Sequence, residues 1–325
     1  MDIDRRFAAR SLDQSQVAAW AQLYDALEQA DHYDEYLAEA DLRAMLDDPD
    51  TNQSRGSLAI YDGETMAAFG LLSLRPAADP VHLMFLAGGV HPAYRGRGLG
   101  THVMAWADQA ARPLHEERFA GRPLSLASRC RASDDIAGAL FADNGYVPTR
   151  WFMRMTCDLT GDPPSAPVPD GVEIRGFTAE RSADARQVHD EAFRDHWGSV
   201  DSSPESWAHF IGYHALRPEY SFLAYAGGEP VGMVLSHEYE AYTAATGRKD
   251  LYIPSVATRR QARKRGVASA LLARVLASAR ADGFVAATLD VDSDSPTGAV
   301  GLYERAGFVH SDTWITQVKE LIAGS

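Results

Sequence analysis

Cysteine is nearly absent: of 325 residues only Cys130 and Cys157 carry a thiol. They form neither a C-x-x-C pair nor a disulfide framework, so both are expected to be reduced packing residues. No metal-ligand spacing occurs either. The stretch "HEERF", 115–119, ends in phenylalanine where H-E-x-x-H needs its second histidine, and no metal is expected. No segment approaches the ~18 uninterrupted apolar residues of a membrane span. The opening "MDIDRRFAARSLDQ" has no apolar core like that of a signal peptide. A cytoplasmic protein with no membrane partner is the expectation. Basic residues are also in short supply: 31 Lys and Arg against 45 Asp and Glu give a formal net charge of -14. Phosphate backbones are held by an excess of Lys and Arg, so no nucleic-acid partner is expected. The acidic balance agrees with a cationic small substrate such as an amine, although acidic surfaces also keep many proteins soluble.

What is present is duplication. The chain exceeds the usual size of one domain. Residues 160–171, "TGDPPSAPVPDG", hold four prolines and read as an extended connector. This predicts domains at 1–159 and 172–325 around a linker at 160–171. In the first half, helical spacing in "QVAAWAQLYDALEQA" and "EADLRAMLDD" precedes a hairpin turning at Asp62-Gly63. A strand "HLMFLAGGV", a glycine loop, a helix from about Gly98 to Arg112, the strand "LSLASRC", a short helix near Ala137–Asp143 and the strand "RWFMRMTCDL" follow. The second half repeats the order, from "VEIRGF" through a hairpin at Gly227-Gly228 to "LYIPSVAT", a basic loop, a helix over Val267–Ala281, and a last strand "TWITQVKEL". The fold class predicted is α/β of the α+β type: two tandem domains, each a mixed, mainly antiparallel sheet flanked by helices.

Each half carries one loop of the same design. R-x-x-G-x-G occurs as Arg95, Gly98 and Gly100, and R-x-x-G-x-A as Arg263, Gly266 and Ala268. A strand precedes each and an amphipathic helix follows, so free backbone N–H groups and the positive end of a helix face an anion such as a pyrophosphate. A Cβ at Gly98 or Gly266 is expected to occupy space that a phosphate oxygen needs, and Gly100 and Ala268 to bring the helix start close to the sheet. Neither loop has the G-x-x-x-x-G-K-[ST] or G-x-G-x-x-G spacing. Read alone, "RRQARKR", 259–265, could also be a basic nucleic-acid patch, but it is isolated in an acidic chain.

These loops and the motif "SPTGAVGLYERAGF", 295–308, resemble the GCN5-related N-acetyltransferases (GNAT), and the tandem arrangement is similar to the two-domain acetyltransferases of the mycothiol synthase type. The resemblance implies acetyl-CoA as the cofactor. It implies that Val256, Ala257 and Thr258 pair with the pantetheine arm and that the amides of Arg263, Lys264, Arg265, Gly266, Val267 and Ala268 hold the pyrophosphate. Ser295, where the family usually has Asn, would touch the CoA arm, and Arg259 and Arg260 the remaining phosphate. The first-half equivalents are Gly89, Val90, Arg95, Gly96, Arg97, Gly98, Leu99 and Gly100. Tyr303 stands where the family places the general acid that protonates the departing thiolate. Aligning "SDDIAGALFADNGY", 133–146, puts Phe141 opposite it, and phenylalanine has no proton to give. The reading is therefore direct attack of a small-molecule primary amine on acetyl-CoA in the C-terminal domain, with a noncatalytic N-terminal domain able to bind CoA. Base candidates are Glu238, Glu240, Asp290, Asp292 and His196. A noncatalytic acetyl-CoA sensor or scaffold and a protein or peptide N-acetyltransferase stay open as alternatives, as does monomer or homodimer.

Overall fold

Two strands of continuous apolar sequence organise the two halves. The computed structural model describes residues 4–75, 80–194, 196–295 and 298–324, and they divide into two units, Met1–Arg150 with Trp314–Ser325, and Trp151–Thr313. In the first unit, β1 (Phe7–Arg10), α1 (Val17–Asp31), α2 (Glu39–Asp47), β2 (Ser57–Asp62), β3 (Thr65–Ser73), β4 (His82–Val90), α3 (Leu99–Phe119), β5 (Leu124–Arg131) and α4 (Asp135–Asp143) follow in order. From Met66 to Leu72 every residue of β3 is buried, the mark of a strand covered on both faces. Alternation divides its side chains: Phe69 and Leu71 pack with Trp20, Leu23 and Leu42 of α1 and α2, while Ala68 and Leu72 pack with Val103, Ala107 and Leu114 of α3.

The rest of the chain supplies β6 (Val147–Asp158), β7 (Val172–Gly176), α5 (Ser182–Phe193), α6 (Pro204–Gly212), β8 (Phe222–Ala226), β9 (Glu229–Glu238), α7 (Glu240–Thr246), β10 (Asp250–Thr258), α8 (Val267–Ala281), β11 (Ala286–Asp292), α9 (Ala299–Arg305) and β12 (Val309–Ile322). In the second unit β9 has the role of β3, buried from Pro230 to His237. Met233 and Leu235 face α5 and α6, and Val231 and Val234 face α8. The ladders within each unit are antiparallel except for β4 with β5 and β10 with β11.

Four features differ from the sequence expectation. The last strand of each half is exchanged: β12 pairs antiparallel with β5 from Trp314 to Ile322, and β6 pairs antiparallel with β11 from Phe152 to Asp158. Residues 151–159 thus belong with the second unit and 314–325 with the first, so the first unit is built from two separate stretches of chain while the second is the single stretch Trp151–Thr313. The segment 160–171 has no helix or strand, as expected of a connector. It is nonetheless packed: Pro163, Pro164 and Val168 line a groove of about 620 Å³ with Ala270, Ala273 and Ala277 of α8. Between the hairpin at Gly227-Gly228 and "LYIPSVAT", where the pattern predicts no helix, lies α7, which Gly247 ends in the left-handed region at φ 69°. Finally, α3 runs past Arg112 and through Pro113 to Phe119, because Leu114 and His115 continue its buried face.

Candidate active site

The two loops share one backbone path. Gly98 and Gly266 are the residues before α3 and α8, at φ 78° and 83°, and two positions earlier Gly96 and Lys264 are also left-handed, at 72° and 60°. Protein atoms leave room at the cap glycines. A Cβ on Gly98 would meet nothing within 4 Å and one on Gly266 would lie 3.4 Å from Pro169, and the positive φ favours glycine at both. A Cβ on Gly100 would strike Leu140 of α4 at 2.9 Å; this small residue admits a helix and not the sheet. Leu99 and Val267 are buried at the helix starts, and Ala268 follows in the first turn, whose N–H groups have no intrahelical acceptors. The motif arginines brace the loops. Arg95 Nε donates to Val90 O at 3.3 Å and its guanidinium pairs with Asp31, while Arg263 Nε donates to Thr258 O at 3.2 Å and its other arm to Ala192 O. Arg97 lies over the Tyr94 ring, whereas Lys264 and Arg265 are exposed.

Strand edges open beside each loop. β4 pairs with β5 only from His82 to Phe85, and β10 with β11 only from Asp250 to Tyr252. Beyond these pairs lie Gly89 and Val90 in the first unit and Val256, Ala257 and Thr258 in the second. The second edge has an added feature: β10 shifts register against β9 between Tyr252 and Ser255, a bulge around Pro254, which has no N–H to give to a ladder. The shift turns the faces over, since Ile253 and Val256 both pack on the α8 side and Ala257 packs toward α5.

Tyr303 and Phe141 occupy matching places. The Tyr303 and Phe308 rings meet edge to face at 5.9 Å, and those of Phe141 and Tyr146 at 5.4 Å. Phe308 N donates to Tyr303 O and Tyr146 N to Phe141 O, each at 3.0 Å. Burial raises the Tyr303 phenol above its ordinary pKa and keeps it in the O–H form. Ser295 lies before α9, its N–H donating to Asp292 O.

The Acetyltransferase (GNAT) family model matches residues 18–129 and 183–308, well over half of the sequence and once in each half. The chain belongs to the GNAT acetyltransferase family. The mycothiol acetyltransferase of Thermobispora bispora is 30% identical over 267 residues, covering 77% of this chain and 79% of the relative. That of Pseudarthrobacter chlorophenolicus is 29% identical over 255 residues, covering 77% and 73%. Among solved structures, a GCN5-related N-acetyltransferase from Sphaerobacter thermophilus has a TM-score of 0.78 at 27% identity, covering 100% of this chain and 98% of the other. A tandem GNAT protein from the clavulanic acid biosynthesis pathway has a TM-score of 0.73 at 16% identity, covering 98% and 100%, and shares the fold.

Within this GNAT chain the base candidates are dispersed. Glu238 is held by Arg217 at 3.0 Å with Lys249 3.9 Å away, and its register partner Leu251 belongs to the α8-side core. Glu240 pairs with the same arginine at 2.9 Å. Asp290 takes two bonds from Arg154 and one from the Tyr252 hydroxyl. Asp292 is buried and accepts from Asp294 N. His196 follows α5, its ring on Phe193. Glu238 and Asp290 are thus members of charge pairs with Arg217 and Arg154. Arg259, expected on a phosphate, is bound to Glu191 at 2.7 Å. Among the described residues no helix is long and apolar enough to cross a membrane.

Two polar side chains went unnoticed in the sequence. His237 and Ser255 are buried on adjacent strands on either side of the bulge. Neither histidine ring nitrogen nor the serine hydroxyl has a hydrogen-bond partner among the described residues. Strand alternation through Met233, Leu235 and His237 was the signal for the first: a histidine at a core-facing position.

In the first unit α1 and the segment after it pack closely. A Cβ on Gly89 would lie 2.7 Å from Leu27 of α1. Tyr33, just after α1, hydrogen-bonds Asp134 before α4, and Arg131 lies over the Tyr33 ring and donates to His32 O. Ser128 Oγ donates to Leu86 O at 2.8 Å, lacing β5 to β4 one step beyond their last ladder pair.

Proposed function

We propose that this protein is an acetyl-CoA-dependent N-acetyltransferase that acetylates a primary amine of a small molecule, and that the reaction runs in the second unit. The observation that carries the choice of unit is the combination of the β10 bulge with Tyr303, against an unbroken β4 and Phe141 in the first. The backbone from Arg263 to Ala268 suits a pyrophosphate, because its left-handed turns and helix start aim N–H groups outward. Val256, Ala257 and Thr258 supply an unpaired strand edge for the pantetheine amides. Amides freed by the bulge would polarise the thioester carbonyl. An alkylammonium with a pKa of about 10 has no lone pair and must lose its proton before attack. The neutral amine nitrogen then bonds the carbonyl carbon, the carbon–sulfur bond breaks as the Tyr303 O–H gives its proton to the sulfur, and the proton that the nitrogen sheds on becoming an amide returns through solvent to the tyrosine oxygen. Relatives named as mycothiol acetyltransferases support a small-molecule acceptor over a protein one.

The first unit reads as a noncatalytic partner: its loop retains the backbone of a phosphate site, while its β4 has no bulge against β3 and Phe141 stands in the place of Tyr303. The test is thiol release from acetyl-CoA by the full chain against a panel of small amines and peptide N-termini. Amine-dependent release with a matching mass gain of one acetyl group is expected. Release no faster than hydrolysis with every amine would leave the sensor reading.

A further inference from the structure

A protein interior rarely keeps a polar ring with both nitrogens unsatisfied, because the desolvation cost is not recovered. His237 on β9 is 4% exposed, and neither Nδ1 nor Nε2 has a hydrogen-bond partner among the described residues. Its neighbours are aromatic: Phe210 of α6 at 5.9 Å between ring centroids, Tyr213 after α6 at 5.4 Å, and Tyr239 after β9 at 6.1 Å. Burial foremost, then the nearby Arg217 and His214 charges, push its pKa down to about 4, so the ring is neutral at ordinary pH, with one lone pair and one N–H.

Position gives the ring a use. Its register partner is Tyr252, the last residue of β10 before the bulge, and Tyr239 touches the Tyr252 ring at 6.0 Å. Opposed residues on antiparallel strands are about 5 Å apart, so His237 stands one strand away from the edge assigned above to the thioester. Ser255, likewise buried without a partner, lies just past the bulge, paired with Leu235, two residues from His237 and on the same face.

We propose that His237 binds the acceptor, taking an N–H of the reacting amine on its imidazole lone pair while the rings of Phe210, Tyr213 and Tyr239 enclose the carbon attached to it. The residue thereby fixes the direction of the amine lone pair, and it selects small primary amines able to enter an aromatic enclosure. Aromatic faces also favour the ammonium form on arrival. This rests on the amine N-acetyltransferase reading.

The test compares wild type, His237→Phe and His237→Asn in the full chain. It measures acetyl-CoA affinity by calorimetry, melting temperature, and steady-state thiol release with a panel of small primary amines. If the inference holds, His237→Phe fills the space with a ring that needs no partner, so the melting temperature stays or rises and acetyl-CoA affinity is unchanged. The KM for the amine then rises at least about tenfold, the loss expected for one hydrogen bond. His237→Asn, which keeps a donor and an acceptor, recovers part of that loss. An unchanged amine KM in both variants overturns the role of His237 and leaves the acetyltransferase reading standing. No amine-dependent release by wild type overturns both. If His237→Phe does not fold, the Asn variant decides alone: an unchanged amine KM contradicts the role, and a raised KM with intact acetyl-CoA affinity supports it.

Discussion

In the first half β4 runs beside β3 without interruption from Phe85 to Val90, whereas in the second β10 shifts against β9 between Tyr252 and Ser255. Around that difference almost everything else is matched: the left-handed residues of the loops, the arginine that ties each loop to the strand before it, and the edge-to-face aromatic pair beside the helix that follows the splayed strands. The comparison separates two requirements that a single-domain enzyme would present together. Holding a pyrophosphate needs only the loop, and both halves have one. Acyl transfer also needs freed strand amides and a proton donor, and on our reading only the second half, with its bulge and Tyr303, has these. At the aromatic pair the hydroxyl has changed places: Tyr303 carries it in the second half, and in the first it belongs to Tyr146, the other member.

The largest effect expected is from breaking the exchange of strands. Residues 172–325 alone lack β6 and with it the buried side chains of Met155 and Cys157. Burying such side chains is worth about 1.5–3 kcal/mol each against a typical total of about 5–15 kcal/mol. That fragment should show no cooperative melting transition, and co-expression with 1–171 should restore one. A well-folded fragment with native-like melting would mean that the unit tolerates loss of its borrowed strand.

Next in size is the proton donor. Tyr303→Phe should lower kcat by roughly 10- to 1000-fold with little change in acetyl-CoA affinity. Phe141→Ala should instead act through packing, lowering the melting temperature. Full activity in the Tyr303 variant would assign thiolate protonation to another group.

The halves can also be compared through their histidines in acid. His237 ionises at about 4 when folded and near 6.5 when unfolded. Between these values the unfolded state binds the proton and the folded state does not. Its contribution to stability is therefore complete above pH 6.5 and is lost as pH falls, by about 3 kcal/mol at pH 4. His82 in the first half, also depressed by burial, acts in the same direction. Denaturant melts at pH 7 and pH 4.5 should show a smaller acid loss in His237→Phe than in wild type; equal losses would place the depressed titration elsewhere.

The smallest effect concerns Lys264, which holds in the second loop the left-handed conformation that Gly96 holds in the first. The strain is about 1 kcal/mol, partly offset by the greater freedom of glycine in the unfolded chain. Lys264→Gly should stabilise by a few tenths of a kcal/mol to about 1 kcal/mol, and Gly96→Lys should destabilise by a similar amount. Equal stability of all three proteins would show that the loop relaxes around either residue.

Much of this was legible because it is local. The loops, the hairpins and the Tyr303/Phe141 contrast are patterns of adjacent residues, and each took its expected place. The exchange of β6 and β12 was not legible, since strands of similar pattern can pair with either β5 or β11 without changing which side chains are buried. The bulge left a trace that was passed over, Pro254 inside "LYIPSVAT". For the base candidates, sequence shows a carboxylate, and only the fold shows that Arg217 pairs with Glu238 and Glu240 and Arg154 with Asp290.

The central claim, one working site in a duplicated chain, is tested most directly by the paired substitutions Gly98→Val and Gly266→Val, with kcat/KM measured for amine-dependent thiol release. A branched side chain is incompatible with φ near 80° at either cap, so each variant disables one loop. The account predicts at least about a 100-fold loss for Gly266→Val, the scale of a misplaced reactant. For Gly98→Val it predicts activity within about threefold of wild type. A folded Gly98→Val protein without activity beside an active Gly266→Val protein would contradict it and make the first half the working site.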